Sequence, residues 1–202
     1  MASILDFLDT DTGKQFVQRS SKEVDESPDK VRSVLGMALP MLMGAIKKNT
    51  TSSEGAEKLN SELDKEKHNG SILDSLKNGD LSGMLSEGSG IIGHNFGGKQ
   101  DKIVDVVSSA TQMDSSKVTK IIKMAAPVIM GILGKQKRKD DVGKGGLSSL
   151  VGSVMGTNSS HDQSLLETFM DADDDSNIAG QLTGKLFGGK SDSKGLGGFF
   201  KG

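Results

Sequence analysis

The chain has 202 residues, with 25 Lys and Arg against 27 Asp and Glu for a net charge of −2, and it contains no Cys, Trp or Tyr. Near neutrality removes any global pull toward nucleic acid or anionic membrane, and the lack of cysteine excludes a disulfide framework and a thiolate metal cage. A core can form from the 34% of apolar residues, but Leu, Ile, Val, Met and Phe have to build it.

Residues 1–14 carry Asp6, Asp9 and Asp11 where a secretory signal would have a basic start and an apolar run, so a cytoplasmic protein is expected. Residues 4–19 place apolar side chains at 4, 5, 7, 8, 16 and 17 around Gly13 and read as one or two short helices. Ser27-Pro28 is a helix start, since Ser caps free amides and Pro suits the first turn. Beyond it, apolar residues at 31, 34, 35, 38, 39, 42, 45 and 46 form a helical stripe, and Met37, Met41 and Met43 make other faces apolar too. Pro40 lacks an amide donor and crowds the Gly36 carbonyl, which predicts a kinked or split helix. Residues 56–67 read as a charged surface helix anchored by Leu59 and Leu63.

Further along, 91–98 (IIGHNFGG) reads as a short helix ending in a glycine cap, with Phe96 anchoring its last turn. Residues 103–110 form another short helix. Asp114, Ser115 and Ser116 then offer caps to a second apolar helix over 117–136, interrupted by Pro127. Residues 135–146 (KQKRKDDVGKGG) read as a loop. Residues 182–189 (LTGKLFGG) repeat the earlier glycine-capped pattern with Phe187, and 190–202 read as a mobile Gly, Ser and Lys tail. Its Phe199 and Phe200 either dock on this molecule or a partner, or simply end the chain.

Residues 30–49 and 117–136 are near copies, identical at eight of twenty positions, among them Met37/Met124, Pro40/Pro127, Met43/Met130 and Gly44/Gly131. The expectation is an all-α, pseudo-duplicated bundle with two Pro-kinked central helices, built from a first repeat (1–100) and a second (101–189) packed as one body. Gly44 and Gly131 remove side chains where a neighbouring helix can approach. The most apolar windows, 34–46 and 121–133, are thirteen residues each, short of the about 20 that span a bilayer.

Asp9-Thr10-Asp11-Thr12 imitates the aspartate pair of haloacid-dehalogenase-like phosphatases. That chemistry needs a strand before the nucleophile, and an amphipathic segment stands there instead, so a capping loop is the better reading. Asp171, Asp173 and Asp175 resemble the front of a calcium loop, but Ser176 replaces the turn glycine and Leu182 the closing carboxylate. They remain weak cation candidates beside the alternative of a solvated helix start. His68, His94 and His161 lack partners at metal-ligand spacing. The basic run 135–139 offsets a helix dipole or meets an acidic partner or nucleic acid. Residues 106–122 have helix-turn-helix spacing, but the second helix runs directly into the apolar core segment.

In order, MALPMLMGAIKKN, HNGSILDSL, GSGIIGHNFGGKQ and MAAPVIMGILGKQ resemble the YidB-like bacterial family of unknown function, over about residues 16–189. The resemblance implies a small all-helical bacterial protein and supplies no catalytic residues. Its usual Asp-Gly-Ser element stands here as Asp175-Ser176-Asn177. The combined expectation is a non-catalytic structural or interaction protein that self-associates and needs no cofactor, with a helix-turn-helix nucleic-acid binder as the alternative. The residues expected to carry packing or interaction are Met37, Pro40, Met43, Gly44, Phe96, Met124, Pro127, Met130, Gly131 and Phe187.

Overall fold

The computed structural model describes residues 3–78, 81–95 and 99–156. Among them the chain is all-α: α1 (Asp11–Val24), α2 (Pro28–Asn49), α3 (Ser53–Asp64), α4 (Ser71–Asn78), α5 (Ser82–Asn95), α6 (Gln100–Thr111), α7 (Ser115–Lys139) and α8 (Leu147–Met155), with 3-10 turns at Asp6–Asp9, Glu66–His68 and Lys144–Gly146. No helix among the described residues is long and apolar enough to cross a membrane.

Local chemistry sets the helix ends. Thr10 accepts from the Gly13 amide at 3.0 Å, Ser27 from Lys30 at 3.3 Å, Ser52 from Gly55 at 3.0 Å and Asp114 from Ser116 at 2.8 Å, each satisfying an amide that the first turn leaves free. The Asp-Thr-Asp-Thr stretch is therefore the start of α1. Its Asp9 carboxylate pairs with Arg32 on α2. Asp25 (φ 51°) and Gln112 (φ 52°) close α1 and α6 in the left-handed region. Each three-residue connection then turns the chain into a long apolar helix.

Those two helices are central. α7 touches every other α-helix, and α2 packs against α1, α6, α7 and α8. Val31, Val34, Leu35, Ala38, Leu42 and Met43 of α2 and Val118, Ile121, Ile122, Met124, Ala125, Ala126 and Met130 of α7 are completely buried. All eight α-helices contribute to one apolar cluster. The surface helix α3 hangs on it through Leu59 and Leu63, with Ala56 also buried.

Three details differ from the sequence reading. Neither proline splits its helix: Pro40 lies inside an unbroken α2 and Pro127 inside an unbroken α7. Packing on several sides keeps each helix continuous despite the missing donor. Residues 135–139 are helix rather than loop, because α7 continues to Lys139, where its last turn is tied to α3. Helix α5 starts at Ser82, well before residue 91, with Met84, Gly88, Ile91 and Ile92 facing inward.

Candidate functional site

A dense polar cluster lies where α3, the 3-10 turn after it and α5 meet. Lys65 ends α3, and the turn Glu66–His68 carries the His68 ring inward until only 1% of it is exposed. Its Nε2 is 3.2 Å from Glu62 Oε1 and its Nδ1 is 4.0 Å from Glu87 Oε1 on α5. Lys65 Nζ donates to Glu62 Oε2 at 2.6 Å, and Lys67 Nζ lies 3.7 Å from Glu62 and 3.2 Å from Glu87. That last contact is an ion pair without hydrogen-bond geometry, since Glu87 Oε1 is buried with no hydrogen-bond donor.

Burial pushes the His68 pKa below its ordinary value, and the Lys67 charge adds to this, against the opposing pull of Glu62 and Glu87. For Glu62, burial raises the pKa, but its bonds to Lys65 and His68 and the charge of Lys67 prevail and leave it lowered. A carboxylate only accepts, so the neutral ring carries its proton on Nε2. The two glutamates approach opposite ring nitrogens and do not converge on one point. Among the described residues no three His, Asp or Glu side chains could hold a metal ion together. A sealed ring held by a carboxylate does not reach a substrate; it ties the turn to its neighbours.

The end of α7 locks the same turn from behind. Arg138 Nη1 donates to the carbonyls of His68 and Gly134 at 3.1 Å, and Nη2 to those of Asp64 and Lys65 at 3.2 and 3.1 Å. Buried Lys137 pairs with Asp64. A side chain at Gly134 would overlap the His68 carbonyl, so glycine is needed for this approach. The basic run therefore joins α7 to α3, and Lys135 and Lys139 stay exposed.

In front of the cluster a cleft of about 300 Å³ is lined by Glu62, Lys65, Lys67, Ser86, Glu87 and Gly90, among others. It runs beside an exposed face of α5. Gly83, Ser86, Gly90 and Gly93 are exposed at the spacing of one helix face. A Cβ added at Gly83, Gly90 or Gly93 would meet no described atom. On the opposite side of α5, Gly88 packs on the backbone of α7, where a Cβ would overlap the Lys123 carbonyl oxygen. That is the carbonyl to which Pro127, having no N–H, gives no helical hydrogen bond.

Of the residues singled out in the sequence, Pro40, Met43, Gly44, Met124, Pro127, Met130 and Gly131 are buried and Met37 is half-buried. A side chain at Gly131 would overlap Ile72 of α4, so a neighbouring helix does approach there. Phe96, Phe187, Asp171, Asp173 and Asp175, with the 190–202 tail and His161, lie outside the described residues. The sequence reading set His68 aside. The local hints of its role were Glu62, Lys65 and Lys67, and the remaining contributors come from α5 and α7.

A sequence profile for bacterial proteins of unknown function, DUF937, matches residues 6–136, close to two thirds of the chain. The chain belongs to this family. No curated protein and no solved structure matches it. The part shared with the DUF937 family contains the His68 cluster, the cleft and the whole of α5, and it stops at Gln136, within the last turn of α7.

Proposed function

We propose that this DUF937 protein is a non-catalytic, cytoplasmic interaction protein that needs no cofactor and self-associates through the exposed face of α5. The observation that carries this reading is the set of glycines at 83, 90 and 93. Glycine inside a helix costs about 1 kcal/mol relative to alanine. Gly88 offsets that cost by letting α7 approach, whereas no described atom occupies the place of a side chain at Gly83 or Gly93. A helix of a second copy, laid against this smooth strip, would supply what is missing. The Met-rich central helices offer no comparable strip, since apart from the partly buried Met37 and Ile132 they bury their apolar residues within the chain.

Light scattering on the full chain tests the reading. Wild type should exceed the 21.2 kDa of one chain at accessible concentrations, and Gly90→Leu should be monomeric while keeping its helical content. A wild type that stays monomeric throughout would end it.

Duplication fits the same picture. The left-handed residues Asp25 and Gln112, the caps Ser27 and Asp114, and the prolines Pro40 and Pro127 all recur at one offset of 87 residues. The two prolines are taken to kink α2 and α7. An experimental structure in which α7 bends by less than about 20° at Pro127 would refute this.

The alternative is nucleic-acid binding, favoured by the three-residue turn between α6 and α7. Opposing it, Lys117 Nζ in the first turn of α7 donates to the Asp25 carbonyl at 3.0 Å and to Glu26 Oε1 at 2.9 Å. This joins the would-be reading helix to the α1–α2 turn. A salt-dependent mobility shift with mixed DNA would restore the alternative.

A further inference from the structure

A second concave surface lies away from α5. Between the 3-10 turn Asp6–Asp9, the end of α7 and α8 there is a groove of about 320 Å³, floored by Ile4 and Val154 and walled by Phe7 and Ile132, with Gln136 and Lys139 at one end. The walls are apolar and half-open: Phe7 and Ile132 are only partly buried, although Phe7 also packs on Phe16 with ring centroids 6.4 Å apart. Asp9 is neutralised by Arg32, and Asp6 accepts from the Ser3 amide at 2.6 Å. Lys139 is left as an exposed charge on the rim.

The described chain ends beside this groove. α8 closes at Met155, the Val154 carbonyl accepts from the Ile4 amide at 2.7 Å, and Gly156 (φ 74°) lies against Ser3, itself part of the groove. The next apolar residues in the sequence are Leu165, Leu166, Phe169 and Met170, spaced as on one face of a helix and followed by Asp171, Asp173, Asp174 and Asp175. We propose that residues 164–175 of this chain occupy the groove, with Leu165 and Phe169 against Phe7 and Ile132 and the aspartates beside Lys139.

Three considerations select this occupant. The residues between Gly156 and Leu165 span up to about 25–30 Å when extended, ample for a return to a groove at whose rim they start. The apolar face is followed at once by the charge that suits Lys139. The later aromatic segments carry Lys185, Lys190, Lys194 and Lys201 instead, so the same rim would repel them. Tethering also favours this segment over the matching one of a second copy, because a short linker gives an effective concentration on the order of 1 mM. The aspartates that resemble a calcium loop would then serve a basic side chain rather than a cation. This contact stands apart from the α5 face, and the two proposals fail separately.

The absence of cysteine allows a clean test in the full chain. With Gln136→Cys and Ala172→Cys as the only thiols, a short bismaleimide should give a cross-linked product of monomer mass. It should form about tenfold faster than with the control pair Gln136→Cys and Ser193→Cys, as tethered proximity requires. Adding Phe169→Asp, or separately Lys139→Glu at the exposed rim, should slow it severalfold without changing helical content. Equal rates for the two pairs, indifference to both substitutions, or a product only at dimer mass would overturn the proposal. The last result would assign the groove to a second copy.

Discussion

Two glycines on α5, two residues apart, should respond oppositely to the same methyl group. At Gly88 the new Cβ lands on the Lys123 carbonyl oxygen, with the Lys123 carbonyl carbon and Cα just behind it. A backbone carbonyl within a helix has no rotamer to escape into, so α5 would have to retreat from α7 by more than about 1 Å across a close-packed face. Overpacking of this kind costs about 1–3 kcal/mol, and a rigid obstacle places it near the upper end. The better helix propensity of alanine returns about 1 kcal/mol, which leaves a net loss of about 2 kcal/mol.

At Gly90 the same methyl meets no described atom, and only the propensity gain of about 1 kcal/mol remains. With about 2–4 °C of Tm per kcal/mol for a chain of this size, Gly88→Ala should melt about 4–8 °C below wild type and Gly90→Ala about 2–4 °C above it. Calorimetry belongs at the lowest workable concentration, since self-association would add stability to wild type by mass action. Shifts of the same sign for both variants would refute the assignment of the two faces of α5.

Buried His68 holds a pKa below 6.5, so between that value and the folded one the unfolded chain binds more protons and stability falls as pH falls. Urea midpoints compared at about pH 7.5 and about pH 5.5 should therefore drop more for wild type than for His68→Gln; an equal drop would show that the ring does not titrate on unfolding. The Arg138 fork reaches four carbonyls, and a lysine ammonium cannot span them. Arg138→Lys should thus cost about 1–2 kcal/mol in urea unfolding and speed amide exchange over residues 62–69 before the rest of the chain. Because α3 has only three buried apolar anchors, Leu63→Ala, at a completely buried site, should cost about 3 kcal/mol.

How much of this could be read in the sequence depends on how far apart the cooperating residues lie. Caps act within a turn, and Ser27 and Asp114 were legible for that reason. The apolar stripe of α2 was legible because a helix repeats its inward face every three or four residues. The end of α7 was not. A run of Lys and Arg carries no apolar period, and what keeps it helical is Asp64, 73 positions earlier, with the carbonyls of the His68 turn. His68 itself was opaque for a related reason. Its ring lies between Glu62 of α3 and Glu87 of α5 while α7 holds its backbone carbonyl, and spacing within one helix says nothing about partners on others.

The prolines make the same point from the other direction, because one local rule meets two different surroundings. Each proline leaves the carbonyl four residues back without its helical donor. For Pro40 that carbonyl belongs to Gly36, half-buried and with no described atom near the place of a side chain, so solvent can take the role of the missing amide. For Pro127 it belongs to Lys123, and its oxygen faces α5 where a Cβ on Gly88 would otherwise stand. A Cα–H facing a carbonyl is a weak donor, but here it is the group the packing provides. Pro127 on α7 thus sits opposite a glycine of another helix and Pro40 on α2 does not, which is why the likeness of residues 30–49 to 117–136 does not reveal Gly88.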